Sequence, residues 1–226
     1  MAERLSKFLA LHLGISRREA DAFIERSDVV VNGTPATLGM RYEEGDVITV
    51  NGKPVSTSTD IVYLALNKPV GYVCSRKAQG DNPTIYALLP QQYHTLKPVG
   101  RLDKDSSGII LLTNDGDFAH TMTHPKFVKT KIYKVKLDKD LEPLHQQMIA
   151  DYGITLEDGV SKFQLTRLSD TSRRDWEVIM SEGRNRQIRR TFLSLGYVVK
   201  KLHRTQFGSY ALGDIKPGEF VPVNIS

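Results

Sequence analysis

A short polar run, Ser56-Thr57-Ser58-Thr59, divides the chain into two stretches with different hydrophobic rhythms. A run of that kind packs against nothing and reads as a linker. It sets the domain plan at 1–55, a linker at 56–60, and 61–226. Before it, Leu5, Phe8, Leu9 and Leu13 fall at helical spacing. Ser16 stands three residues ahead of Glu19, the capping-box arrangement that opens a second helix, and Ala20, Phe23 and Ile24 give that helix an apolar side. Two short strands follow, ended by the same words, Asn32-Gly33-Thr34-Pro35 and Asn51-Gly52-Lys53-Pro54. Asn-Gly supplies the positive φ of a tight turn. The segment therefore reads as a small αββ-type unit.

After the run the pattern turns to strands. Residues 62–66, 109–113, 132–137, 176–180 and 197–202 are apolar or alternating. Helices are expected over about 117–123, 141–150 and 185–195, the last closed by Gly196. Strands and helices do not alternate regularly, so the fold class is α+β rather than α/β.

Charge comes next. There are 31 basic against 26 acidic residues, a net charge of +5. A basic excess attracts a polyanion. Arg17 and Arg18 fall in the first turn of the Ser16-capped helix, where positive charge opposes the helix dipole but can grip phosphate. A single cysteine, Cys74, excludes an internal disulfide and suits a reducing compartment; it reads as buried filler in a strand. No apolar stretch serves as a signal peptide or spans a bilayer, so a cytoplasmic protein without membrane contact is expected. His120 and His124 lie four apart, but no third ligand is evident and no metal is expected.

Three stretches carry candidate chemistry. In Gly100-Arg101-Leu102-Asp103-Lys104-Asp105-Ser106-Ser107-Gly108 an aspartate sits on a loop ahead of the apolar strand Ile109–Leu112, with the positive charges of Arg101 and Lys104 beside it to favour a carboxylate. From pattern alone, a charged turn and a catalytic carboxylate both fit, and an Asp103/Asp105 hydrolase pair is a further alternative. In Lys131–Leu137, alternation puts Tyr133, Val135 and Leu137 on one face, where Tyr133 is either core or a platform for a base. In Glu182–Arg190, Ile188, Phe192 and, further on, Leu195 form the buried stripe of a helix, leaving Arg186, Arg189 and Arg190 to face RNA or a carboxylate.

Taken in order, these motifs become recognisable. Arg4–Leu9, Ser16–Ala20, Val31-Asn32-Gly33 and Gly45–Ile48 resemble the S4 RNA-binding domain. Asn67–Gly71, Gly100–Gly108, Lys131-Ile132-Tyr133 and Gly183–Arg190 resemble the pseudouridine synthases of the branch named for ribosomal small subunit pseudouridine synthase A, with the large-subunit synthases B, E and F. The resemblance implies a mixed, mostly antiparallel catalytic sheet with flanking helices behind an S4 module. It implies an isomerase that needs no cofactor and acts on structured RNA, with rRNA ahead of tRNA. A non-catalytic S4 binder is the alternative. Carried over residue by residue, Asp103 matches the essential aspartate and Tyr133 the tyrosine that stacks on the base. Arg189 matches the basic partner of the aspartate, and Leu202 the apolar residue beneath the tyrosine. Arg4, Lys7, Arg17 and Arg18 are the RNA contacts expected in the small module. Lys68, Arg101, Arg184, Arg186, Arg190 and Arg204 are those expected in the large one. No long apolar surface is left unexplained, so a monomer is expected.

Overall fold

The computed structural model describes residues 2–57, 59–76 and 80–225; Ser58, in the middle of the polar run, lies outside them. The chain divides into two compact units. One runs to Val62 and takes in residues 95–97 and 113–116; the other holds the remainder.

In the first unit, α1 (Leu5–His12) and α2 (Arg17–Glu25) precede short strands. The capping box forms as the spacing required. Ser16 Oγ accepts from the Glu19 amide at 3.1 Å, and the Glu19 carboxylate accepts from the Ser16 amide at 2.7 Å. Glu19 also places an acid in the turn that carries Arg17 and Arg18, offsetting their conflict with the dipole. Each Asn-Gly word makes its own hairpin: β1 (Val29–Val31) turns into β2 (Thr34–Pro35), and β3 (Ile48–Val50) into β4 (Lys53–Pro54). Two strands were expected here, and each proves to be half of a hairpin. The four form one sheet in the order β2-β1-β3-β4. Leu5, Phe8, Leu9, Ala20, Ile24, Val29, Val31 and Ile48 make its core.

The second unit holds a mixed, mostly antiparallel sheet of nine strands among the described residues. Its main path uses β5 (Tyr63–Lys68), β6 (Ser107–Thr113), β7 (Lys131–Leu137), β8 (Gln164–Arg167), β9 (Asp175–Met180), β10 (Val199–Phe207) and β11 (Phe220–Pro222). The order is β8-β9-β7-β10-β6-β5-β11. Strand β7 alternates, with Tyr133, Val135 and Leu137 buried and Lys134 and Lys136 exposed, as expected of a strand with one wet face. Strands β5 and β6 are buried along almost their whole length.

Where β10 meets β6 the pairing turns parallel, with His203 opposite Ser107 and Arg204 opposite Gly108. The backbones come so close that a Cβ on Gly108 would lie 2.1 Å from the Arg204 carbonyl oxygen and 2.5 Å from its nitrogen; φ here is +108°. Only glycine fits.

The helix expected over about 117–123 forms as α3 (Gly116–Thr123). Three expected elements differ. The strand expected over 197–202 begins at Val199, because Tyr197 belongs to the cap of α5 (Gln187–Ser194). The Tyr197 amide donates to the Phe192 carbonyl at 2.9 Å and the Gly196 amide to the Leu193 carbonyl at 2.9 Å, the paired bonds of a Schellman cap around Gly196 at φ +80°. The helix expected from 141 starts at Pro143, a residue suited to the first helical position, and α4 (Pro143–Gln147) passes into a π turn over Met148–Tyr152. Cys74 is not in a strand; it is half-buried in a loop, where its Sγ accepts from the Leu102 amide at 3.4 Å.

Gly108→Ala is expected to cost about 3 kcal/mol or more, since it adds a disfavoured φ and a backbone collision. Denaturant unfolding of the purified variant measures this; a loss under ~1 kcal/mol would mean that β6 and β10 separate easily.

Candidate active site

The parallel contact brings the end of the 100–106 loop against β10, and a cleft of about 660 Å³ opens over the junction. Its floor comes from two neighbouring strands. Tyr133 lies opposite Arg204, and Val135 opposite Leu202. Residues opposite one another share a face of the sheet, so Tyr133, Leu202 and Arg204 line the floor together. Asp103, on the loop, is one wall. Ser181–Arg186 and the start of α5 form the other, and the 122–131 segment rims the mouth.

Asp103, Tyr133 and Leu202 are thus brought together on one cleft. Tyr133 and Leu202 are 7% and 8% exposed, and Asp103 is half-buried. Arg189 requires a correction. Its Nε faces Asp105 Oδ2 at 3.4 Å, and its Nη2 donates to the Asp105 carbonyl at 2.8 Å and to Ser106 Oγ at 3.4 Å. Its Nη1 donates to the Val199 carbonyl at 2.8 Å. Arg189 therefore staples the 105–106 loop to the start of β10. The guanidinium beside Asp103 is Arg186, at 3.5 Å. Arg186 caps α5 in the left-handed conformation, φ +47°. From there it donates to both Asp105 oxygens, at 3.1 and 3.2 Å. Burial raises the Asp105 carboxyl, but the hydrogen bonds from Arg186 and the charges of Arg189 and Arg186 outweigh it and hold the group below the usual carboxylate range. With its carboxylate held by two guanidinium groups, Asp105 is no second acid of a hydrolase pair.

Other arginines were misplaced by reading charge as surface. Arg184 donates to the Asp158, Gly159 and Val160 carbonyls and pairs with Asp158 at 3.0 Å. Arg190 grips the same carboxylate through two nitrogens, at 3.1 and 2.7 Å. Both tie the start of α5 to the 154–161 hairpin, which leaves them less free for RNA than expected. Lys68 is buried and does not line the cleft, whereas Arg204 is buried at the cleft floor. Lys68 Nζ donates to the Ser106 carbonyl at 2.7 Å and to the Pro69 carbonyl at 2.9 Å. Burial pushes its ammonium below the lysine range, against the charges of Cys74, Asp103 and Asp105. It is a strut beneath the loop that carries Asp103. Lys104 turns to Asn82.

Arg101 is exposed at the cleft. In the first unit Arg4, Arg17 and Arg18 are exposed, whereas Lys7 pairs with Glu3. Lys131 went unnoticed as a site residue: it lines the cleft and donates to the Glu182 carbonyl at 3.2 Å. Its place at the start of an alternating strand was the one available signal. The His120 and His124 rings pack at a tilt with centroids 4.7 Å apart, and the described residues contain no group of three or more potential metal ligands.

The same plan occurs in known proteins. The model for RNA pseudouridylate synthase matches residues 62–194, and the S4 domain matches residues 3–48. The chain belongs to the RNA pseudouridylate synthase family, whose members are isomerases, and carries an S4 RNA-binding domain in front. It is 36% identical to the dual-specificity RNA pseudouridine synthase RluF of Escherichia coli strain K12, over 96% of this chain and 74% of that one. It is also 36% identical to ribosomal small subunit pseudouridine synthase A of Pasteurella multocida, over 96% and 94%. A crystal structure of a pseudouridylate synthase superposes with a TM-score of 0.70 at 32% identity, covering 98% of this chain and 96% of that one.

Arg101→Gln is expected to lower the slope of log affinity for RNA against log salt by about 1, whereas Arg190→Gln leaves the slope unchanged. Binding titrations across salt concentrations separate the two; equal slope changes would return Arg190 to the RNA surface.

Proposed function

We propose that the protein isomerises one uridine of ribosomal RNA to pseudouridine in the cytoplasm, acting as a monomer with Asp103 as its catalytic carboxylate. The observation that carries this is the convergence of Asp103, Tyr133 and Leu202 on one cleft, with Arg186 at 3.5 Å from the acid. The relative named for the small ribosomal subunit supports a ribosomal substrate. The wording of Asn185–Arg190 and Lys200-Lys201-Leu202 resembles the large-subunit enzymes and puts 23S rRNA ahead of 16S rRNA or a tRNA.

The reaction breaks the bond from uracil N1 to C1′, turns the base, and joins C5 to C1′. No atoms enter or leave overall, so no cofactor is required. The base must first leave its stack, at a cost of a few kcal/mol in a duplex and less in a loop. Tyr133, at the cleft floor with Leu202, offers a ring for the base to lie on. Asp103 attacks C1′ or removes the 2′ proton; either task needs a carboxylate held at the sugar, and Arg186 orients it. Arg189 and Lys68 act one step back by fixing the 105–106 loop. Arg4, Arg17 and Arg18, on residues 1–55, hold structured RNA through its backbone, as Arg101 does at the cleft.

The decisive assay is tritium release from unmodified rRNA labelled at uridine C5, because forming the C5–C1′ bond expels that hydrogen. The native protein should release it and Asp103→Asn should not, with RNA affinity unchanged. Release by the variant at the native rate would remove Asp103 from the chemistry. Tight binding with no release from 23S, 16S or tRNA would favour a non-catalytic binder.

A further inference from the structure

The chemistry above leaves Arg204 without a role. It stands on β10 opposite Tyr133 on β7, on the same face of the sheet. It is only 3% exposed, yet it lines the cleft. Nε donates to the Ile109 carbonyl at 2.8 Å, and the guanidinium carbon lies 4.7 Å from the Phe207 ring centroid. Nη2 is buried and has no hydrogen-bond partner among the described residues. Leaving a buried donor unpaired costs about 1–3 kcal/mol, and more for a charged group. Such a donor calls for an acceptor, and at the floor of a cleft a ligand can bring it.

Position narrows the choice of ligand. Arg204 lies at the floor, more than nine-tenths covered, beside the ring on which the base is proposed to stack. Phosphates would meet Arg101 and Lys129 nearer the surface, whereas a flat base turned out of its strand is shaped to reach this depth. Its acceptors are the carbonyl oxygens O2 and O4.

We propose that Arg204 is a catalytic residue that donates to a uracil carbonyl and stabilises the charge gathered on the base while it is detached. When the N1–C1′ bond breaks, the electron pair stays with the base, and its charge spreads over N1, O2 and O4. After the base turns, C5 supplies the pair for the new bond to C1′, the C5 proton leaves to solvent, and N1 takes up a proton. The guanidinium keeps its own protons throughout. The base leaves with the pair whichever task Asp103 performs, so the role does not depend on that choice. A fixed donor aimed at developing charge in a dry site is the largest catalytic device many enzymes have. Lys131 adds a second cation: its Nζ lies 5.6 Å from the centroid of the same Phe207 ring. Burial and the charge of Arg204 push the Lys131 ammonium below its usual range, a repulsion that an anionic base would relieve.

The proposal rests on uridine isomerisation and on Tyr133 as the stacking ring. Its test compares native protein, Arg204→Gln and Arg204→Lys in single turnovers at saturating enzyme. Two RNAs are used, one with uridine and one with 5-fluorouridine at the target, and loss of the starting nucleotide is read after digestion. Fluorine stabilises the uracil anion by itself. With uridine the variants should slow by about 100-fold or more at unchanged RNA affinity, and with 5-fluorouridine by at least ~10-fold less than that. Equal losses on both RNAs, no loss, or a loss confined to affinity would overturn the role. Arg204→Gln removes the bond to Ile109, so circular dichroism accompanies each variant, and a further arm uses native protein alone. Barbiturate, a uracil analogue that is anionic at neutral pH, should inhibit at least ~10-fold better than uracil. No preference, or no inhibition by either, counts against Arg204. If native protein converts neither RNA, it is the isomerase reading that fails.

Discussion

The active cleft depends on the close parallel contact between Gly108 and Arg204. Asp103 arrives on a loop and Tyr133 on an alternating strand, with β10 between them in the sheet. Because β10 pairs with β7 on one side and with the start of β6 on the other, one strand fixes the height of the acid relative to the aromatic floor. The absence of a side chain at Gly108 sets that spacing. Sub-ångström placement of a reacting group is worth orders of magnitude in rate, and a backbone contact is stiffer than any pair of long side chains.

Around this contact the charges are arranged in tiers. Lys68 lies underneath and holds the Ser106 carbonyl. Arg189 grips the loop from the side through Asp105 and Ser106, and Arg186 reaches over Asp105 to Asp103. Asp105 acts as the anchor of the tier: both guanidinium groups contact its carboxylate, while Arg186 reaches Asp103 at the longer distance of 3.5 Å.

The parts of this plan that were legible in the sequence are those set by local rules. The Ser16/Glu19 box, the two Asn-Gly turns, the alternation around Tyr133 and the Gly196 cap each depend on residues within a few positions. The trio of Asp103, Tyr133 and Leu202 came from motif order. What failed concerned where charge ends up. Lys68, Arg184, Arg190 and Arg204 read as surface because basic residues usually are. Their partners, Ser106, Asp158 and Ile109, lie 38, 26, 32 and 95 residues away, and no periodicity reports them. The pairing of Arg189 failed for the same reason, since two aspartates two positions apart look alike until the loop is folded.

The carboxylate of Asp158 has a consequence for how the protein finds its target. Every guanidinium engaged by it is one fewer grip on any passing phosphate, and such grips set how long a basic protein lingers on the wrong RNA. Two arginines that composition counts as attraction are engaged in this way beside the 154–161 hairpin. A molecule built so would let go of unrelated strands sooner and sample more of them in a given time.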